Sequence, residues 1–200
     1  MYSPTIDKLI KELKKLPSVG QHTAERFVFY WLKAGKREVG ELLLALKEVM
    51  DKVKSCETCW DFSETNPCPI CRDPARDKTM ICVVSDPQSI PVIERTGEFK
   101  GVYHILRGLV DPNKDDTWQD LKLKEFFVRL DKEPKPKEII LALNPDLPGE
   151  TTMLYLEREI KNINNETKVS RLARGLPMGS DLQYADEITL GSAFKNRSII

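Results

Sequence analysis

No stretch of the 200-residue sequence approaches the ~20 consecutive apolar residues that a membrane-spanning helix needs. The N-terminal segment MYSPTIDKLIKELKKL breaks its apolar residues with charges, so a secretion signal is not expected, and no membrane partner is. Charge of one sign is lacking as well. Thirty-one Lys/Arg meet 31 Asp/Glu, a formal net charge of zero, which by itself speaks neither for nor against nucleic acid. No G-x-x-x-x-G-K-[ST] stretch occurs, which removes the P-loop nucleotide cradle. Only two histidines are present, His22 and His104, far apart in sequence. His104 lies within an apolar run and reads as a packed core residue, not a base. There is no internal repeat and no low-complexity tract.

What is present is unevenly distributed. Residues 1–54 carry 11 Lys/Arg against 7 Asp/Glu, a net of +4. The rest carries 20 against 24, a net of −4. A mildly basic module on a mildly acidic body is a weak electrostatic footprint of the kind DNA-binding proteins carry. The chain is long enough for a sizeable core, as one large domain or two to three small ones. Without a secretion signal a cytoplasmic protein is expected, and its five cysteines then face a reducing compartment.

The first 54 residues read as helices. Ser3-Pro4 resembles an N-cap followed by proline at the first helical position. Ile6, Leu9, Ile10, Leu13 and Leu16 then recur at helical spacing, LPSVGQ interrupts, and two further helices are predicted over about 21–33 and 39–53. The segment 55–77 holds four cysteines and little periodicity, so it needs a staple. Beyond it, the β-branched runs TMICVVS, VYHIL and EIILAL alternate with helical patterns at 88–95, 118–130 and 150–161, and a short run follows at TKVSRLA. That alternation predicts an α/β unit with a mainly parallel sheet. The tail is rich in turn residues and ends in one short strand candidate, Glu187–Leu190.

Cys56-x2-Cys59 and Cys68-x2-Cys71 are two knuckles joined by eight residues. Together they supply the four sulfurs of a tetrahedral Zn2+ site with no open position, hence structural rather than catalytic zinc. Cys82, within an apolar strand, reads as an inert core residue.

Two stretches bear on phosphate chemistry. KKLPSVGQHTAERF joins two helices through a Pro/Gly turn. It is either an ordinary helix–helix corner or a helix-hairpin-helix turn, in which backbone N–H groups and nearby cations grip a DNA phosphate without reading sequence. The cations are Lys14, Lys15 and Arg26, with His22 beside them. The α/β unit resembles Toprim, the metal-binding module of topoisomerases, primases and some nucleases. That module places a Glu after its first strand and an Asp-x-Asp after a later one, where close carboxylates hold Mg2+. Here Ser85 stands at the Glu position with Asp86 one residue late, and NPD puts Asn144 at the first Asp position and Asp146 at the third residue. Glu150 follows as a candidate helix cap. One neutral residue plus displaced acids is a poor magnesium cage, so structural or DNA-positioning use is favoured over catalysis.

The order of these parts, with the tail RLARGLPMGSDLQYADEITL and the stretches YHIL and ALNP, resembles the RecR family, the bacterial recombination mediators of the RecFOR pathway. The resemblance covers essentially the whole chain. It implies an α+β, multi-domain chain. Its parts are a helix-hairpin-helix module (1–54), a four-cysteine zinc finger (55–77), a Toprim domain (78–174) and a C-terminal oligomerisation or docking segment (175–200). It implies a non-catalytic, clamp-like homo-oligomer, dimer or tetramer, in the cytoplasm at the nucleoid. Such a clamp binds single- and double-stranded DNA and works with RecO and RecF to load RecA on SSB-coated gaps.

The family turn usually reads Leu-Pro-Gly-x-Gly-x-Lys-[Ser/Thr]-Ala-x-Arg. Leu16, Pro17, Gly20, Thr23, Ala24 and Arg26 match, whereas Ser18 replaces a Gly and His22 replaces the Lys. A solvated imidazole carries less positive charge at neutral pH than the family's lysine, which weakens one expected phosphate contact. The stretch RGLVDPNKDDTW is more acidic than the family's Gly/Pro-rich loop. The competing readings are a Toprim-type nuclease or primase-like enzyme and a zinc-ribbon adaptor that binds protein only.

Overall fold

The computed structural model describes residues 2–113, 118, 121–132 and 134–197. The chain divides into two compact units, one ending at Val53 and the other beginning at Lys54.

The first unit is three helices, α1 (Pro4–Leu13), α2 (Gln21–Ala34) and α3 (Lys36–Lys52). Ser3 occupies the cap position of α1 in extended conformation, and Pro4 opens the helix where its missing N–H costs nothing. The small core is Ile10, Ala24 and Val28, with Ile6, Leu13 and Val19 against it. It joins α1 to α2 and leaves α3 with no buried residue.

The second unit opens with a two-residue antiparallel ladder, β1 (Lys54–Ser55) with β2 (Phe62–Ser63), followed by α4 (Pro69–Arg72). The α/β body follows: β3 (Asp77–Val84), α5 (Ser89–Glu94), β4 (Gly101–Ile105), α6 (Leu123–Leu130), β5 (Glu138–Leu141), α7 (Leu147–Ile163) and β6 (Lys168–Arg171). All pairings in its four-stranded sheet, ordered β4-β3-β5-β6, are parallel. The four strands come from the apolar runs that predicted them. The predicted helix over 118–130 is observed as α6 from Leu123. Residues 119 and 120, and residues 114–117 of the acidic stretch before them, lie outside those described.

The chain leaves β3 toward β4 on one side and returns with β5 on the other. The crevice at the carboxyl ends of β3 and β5 is therefore a topological switch point, where sheets of this kind place their sites. One core face gathers Val83, Phe126, Ile139, Leu156 and Ile160. The other gathers Cys82, Val84, Tyr103 and Ile105 together with the four cysteines of 56–71. His104 is fully buried as a core residue, with Nε2 donating to the Lys122 carbonyl at 2.9 Å, and burial lowers its pKa to about 3.

The tail corrects one expectation. Glu187–Leu190, predicted as a strand, opens α8 (Glu187–Lys195). The Asp186 side chain accepts from the Thr189 N–H at 2.8 Å, and this cap outweighs the strand preference of Ile188 and Thr189.

Candidate zinc centre and nucleic-acid interface

The Sγ atoms of Cys56, Cys59, Cys68 and Cys71 all lie within 4.8 Å of one another, and all four residues are buried. Cys59 and Cys68 Sγ are 3.6 Å apart, against the ~3.8 Å expected across a tetrahedron with Zn–S bonds of about 2.3 Å. Two backbone amides turn inward: Cys68 N–H toward Cys56 Sγ at 3.4 Å and Cys71 N–H toward Cys68 Sγ at 3.5 Å. The Cys59–Cys68 contact drives the two thiol pKa values apart, upward for Cys59 and downward for Cys68. Four thiolates can share such a buried space only around a cation, and Zn2+ supplies that charge.

The sheet fixes this cluster in place. Ile105 N–H donates to the Cys59 carbonyl at 2.8 Å. Arg107, two residues past β4 with φ +63°, donates to the Trp60 carbonyl through Nε and Nη2 and to Ser55 Oγ at 2.8 Å. Its guanidinium lies over the Phe62 ring at 4.1 Å, and the Lys122 ammonium lies over Trp60 at 4.5 Å. No local sequence pattern announces Arg107, because its partners lie about fifty residues upstream.

The crevice at the switch point has a volume of about 490 Å3 and is lined by Ser85, Asp86, Asn144, Arg171 and Arg174, among others. Ser85 is buried, whereas Asp86, Asn144 and Asp146 are exposed. The capping role considered for Glu150 belongs instead to Asp146, whose Oδ1 accepts from the Gly149 N–H at 2.8 Å. Glu150 pairs with Arg174 and, at 3.7 Å, with Arg171. Among the described residues, the cysteines are the only group of three or more His, Cys, Asp or Glu placed to hold a metal ion. The sequence reading missed Arg171 as a partner of Glu150; Arg174 lies in the tail motif but was given no role.

At the N-terminal turn, Lys14 caps the end of α1 and Gly20 precedes α2 with no side-chain cap on its first N–H groups. Ser18 has φ +62°, the left-handed conformation that glycine adopts at least cost. Lys15 pairs with Glu12 at 2.5 Å. His22 is almost fully exposed, 3.7 Å from the Glu25 carboxylate. Arg26 lies one turn further along the same face, exposed and without an ion pair to any described residue.

Four family models match the chain in order. They are RecR, helix-hairpin-helix (6–50), the RecR four-cysteine zinc finger domain (53–73), Toprim domain (79–173) and RecR, C-terminal (175–198). The recombination protein RecR of Anaeromyxobacter dehalogenans is 46% identical over 192 residues, 96% of this chain and 96% of its own. The chain belongs to the RecR family. Recombination protein RecR of Thermobifida fusca is 46% identical over 197 residues, covering 98% of both chains. That of Streptomyces avermitilis is 45% identical over 200 residues, 100% of this chain and 99% of its own. The four-cysteine finger of a RecR protein and the four gathered sulfurs together assign one structural Zn2+ to this chain. No described helix is long and apolar enough to cross a membrane.

Proposed function

We propose that this RecR-family chain is a non-catalytic DNA clamp of recombinational repair, which acts with RecO and RecF to load RecA on SSB-coated single-stranded DNA. The observation that carries the non-catalytic half is the fate of the Toprim carboxylates. Asp146 caps α7, Glu150 is neutralised by Arg171 and Arg174, and Ser85 and Asn144 contribute no charge. An octahedral magnesium site needs carboxylates free to converge; Asp146 and Glu150 are committed elsewhere, and Asp86 stands alone and exposed, one residue past the Glu position. They are the remains of a metal site kept as structure, so the nuclease or primase-like alternative is disfavoured.

The DNA-binding half rests on the helix-hairpin-helix match and on Arg26, which no described carboxylate keeps from meeting a phosphate. Lys14 sits in the same turn, while Lys15 and His22 are partly occupied by Glu12 and Glu25. Assembly into a dimer or tetramer is supported by apolar surface that the chain leaves uncovered. Leu43, Leu44, Leu46 and Val49 of α3 are exposed, Met50 is 80% exposed, and in α8 Ile188 is 82% and Phe194 65% exposed. A cytoplasmic location at the nucleoid follows from this role.

The test is a DNA-binding titration across salt, with mass in solution measured in parallel. Phosphate contacts release counterions, so affinity should fall with salt regardless of sequence. Arg26→Ala should weaken binding to all sequences and flatten the salt slope by about one phosphate contact, with the oligomer unchanged. His22→Lys should tighten binding at low salt. A strictly monomeric mass at high concentration contradicts the clamp reading, and no change in either variant moves the DNA contact away from this turn.

A further inference from the structure

The zinc centre has a cationic neighbour that the finger itself does not supply. Arg129, in the last turn of α6, is half-buried, and its Nη1 donates to the Tyr103 carbonyl at 2.6 Å. It lines a cavity of about 260 Å3 whose walls include Cys71, Thr58 and Pro67 from the finger and Lys78 and Lys132 at the rim. A guanidinium does not lose its proton in a protein, so taking it out of water is costly unless an anion faces it. Among the described residues Arg129 forms no ion pair with a carboxylate, and no carboxylate lines the cavity. Desolvation pulls its pKa down.

The opposite deficit lies across the cavity. Four thiolates around one Zn2+ formally leave two negative charges in a buried site, and only two cysteine amides turn toward the sulfurs there. Arg129, with no carboxylate partner among the described residues, and Cys71 of the anionic complex line the same cavity. Lys78 and Lys132 are exposed and therefore screened, so they substitute for Arg129 poorly.

We propose that Arg129 is the counter-charge of the zinc tetrathiolate. It is a positioning residue on a Toprim helix, and its charge offsets that of the thiolate complex and helps hold the metal. Zinc retention in the finger would then depend on a residue 58 positions after its last ligand (129 − 71), which ties α6 to the finger.

The experiment is extraction of zinc from the full-length protein by a chromogenic chelator, at a temperature where circular dichroism reports native protein. Arg129→Lys keeps the charge, whereas Arg129→Gln keeps an N–H donor for the Tyr103 carbonyl without the charge. The expected result is near-normal retention in Arg129→Lys and release roughly 10–100-fold faster in Arg129→Gln, the range seen when groups supporting a ligand shell are removed. Wild-type retention in Arg129→Gln would reduce Arg129 to a hydrogen-bond donor and overturn the proposal. If Arg129→Gln is found unfolded, recovery of its native spectrum in excess Zn2+ supports the proposal, and failure to recover overturns it.

Discussion

The Gly149 amide donates to the Asp146 carboxylate at 2.8 Å, and a Cβ on Gly149 would stand 1.9 Å from the Asn144 carbonyl oxygen. The turn that opens α7 is therefore closed tightly on itself, using the acid nearest the position of a Toprim metal ligand. Gly149→Ala has no room for its methyl against backbone and should cost roughly 3 kcal/mol or more in urea unfolding. Asp146→Ala should cost about 1 kcal/mol as a lost cap, and Asp146→Asn, which still caps, should be nearly neutral. Wild-type stability in Gly149→Ala would mean that the turn is looser than described.

The finger should carry one zinc per chain. Cys71→Ser should lose most of that metal and open 55–77 to protease, because metal binding and local folding are one event in such a segment. Metal analysis of fresh protein giving under half an equivalent would remove the centre from the account.

Glu94 joins α5 to the segment before β3. Arg76 Nη1 donates to Glu94 Oε1 at 2.9 Å, Nη2 to Oε2, and Tyr103 OH donates to Oε1 at 2.5 Å. The Arg76 hydrogen bond first, then that of Tyr103, holds the Glu94 carboxyl below its ordinary range against desolvation. A depressed folded pKa stabilises at pH values above the unfolded one, about 4.3, and the gain is lost as pH falls through the folded value. Glu94→Gln should therefore cost roughly 2 kcal/mol at pH 7 and progressively less below about pH 4. An equal cost at pH 7 and pH 3 would show that the charge is not the stabilising element.

Ser18 carries a backbone conformation that suits glycine, φ +62°. Ser18→Gly should stabilise the N-terminal unit by about 0.5–1 kcal/mol, the left-handed penalty of a side chain less the greater flexibility of unfolded glycine. Thermal unfolding of the two proteins compares them directly, and a less stable Ser18→Gly would mean that the hydroxyl itself stabilises the turn.

The paired CxxC spacing was legible because a tetrahedral metal dictates it, and the parallel sheet because buried strands are continuous apolar runs. The tail helix was not, since Ile188 and Thr189 favour strands while one cap at Asp186 decides the outcome. The Asp146 cap was readable in principle: an Asp two residues before Pro148 is an N-terminal signal. Arg107, Arg129 and Arg171 were not readable, since their partners are set by tertiary packing and no spacing rule reaches across 20 to 50 residues.

The central claim is that this chain holds DNA without acting on it. The most direct measurement is a DNA titration with and without Mg2+, with the DNA recovered and sized afterwards. The account predicts salt-sensitive, sequence-independent binding that does not require Mg2+, and DNA returned intact. Mg2+-dependent cleavage, nicking or synthesis that purifies with the protein and disappears in Asp146→Asn, which keeps the helix cap and removes the carboxylate, would contradict it.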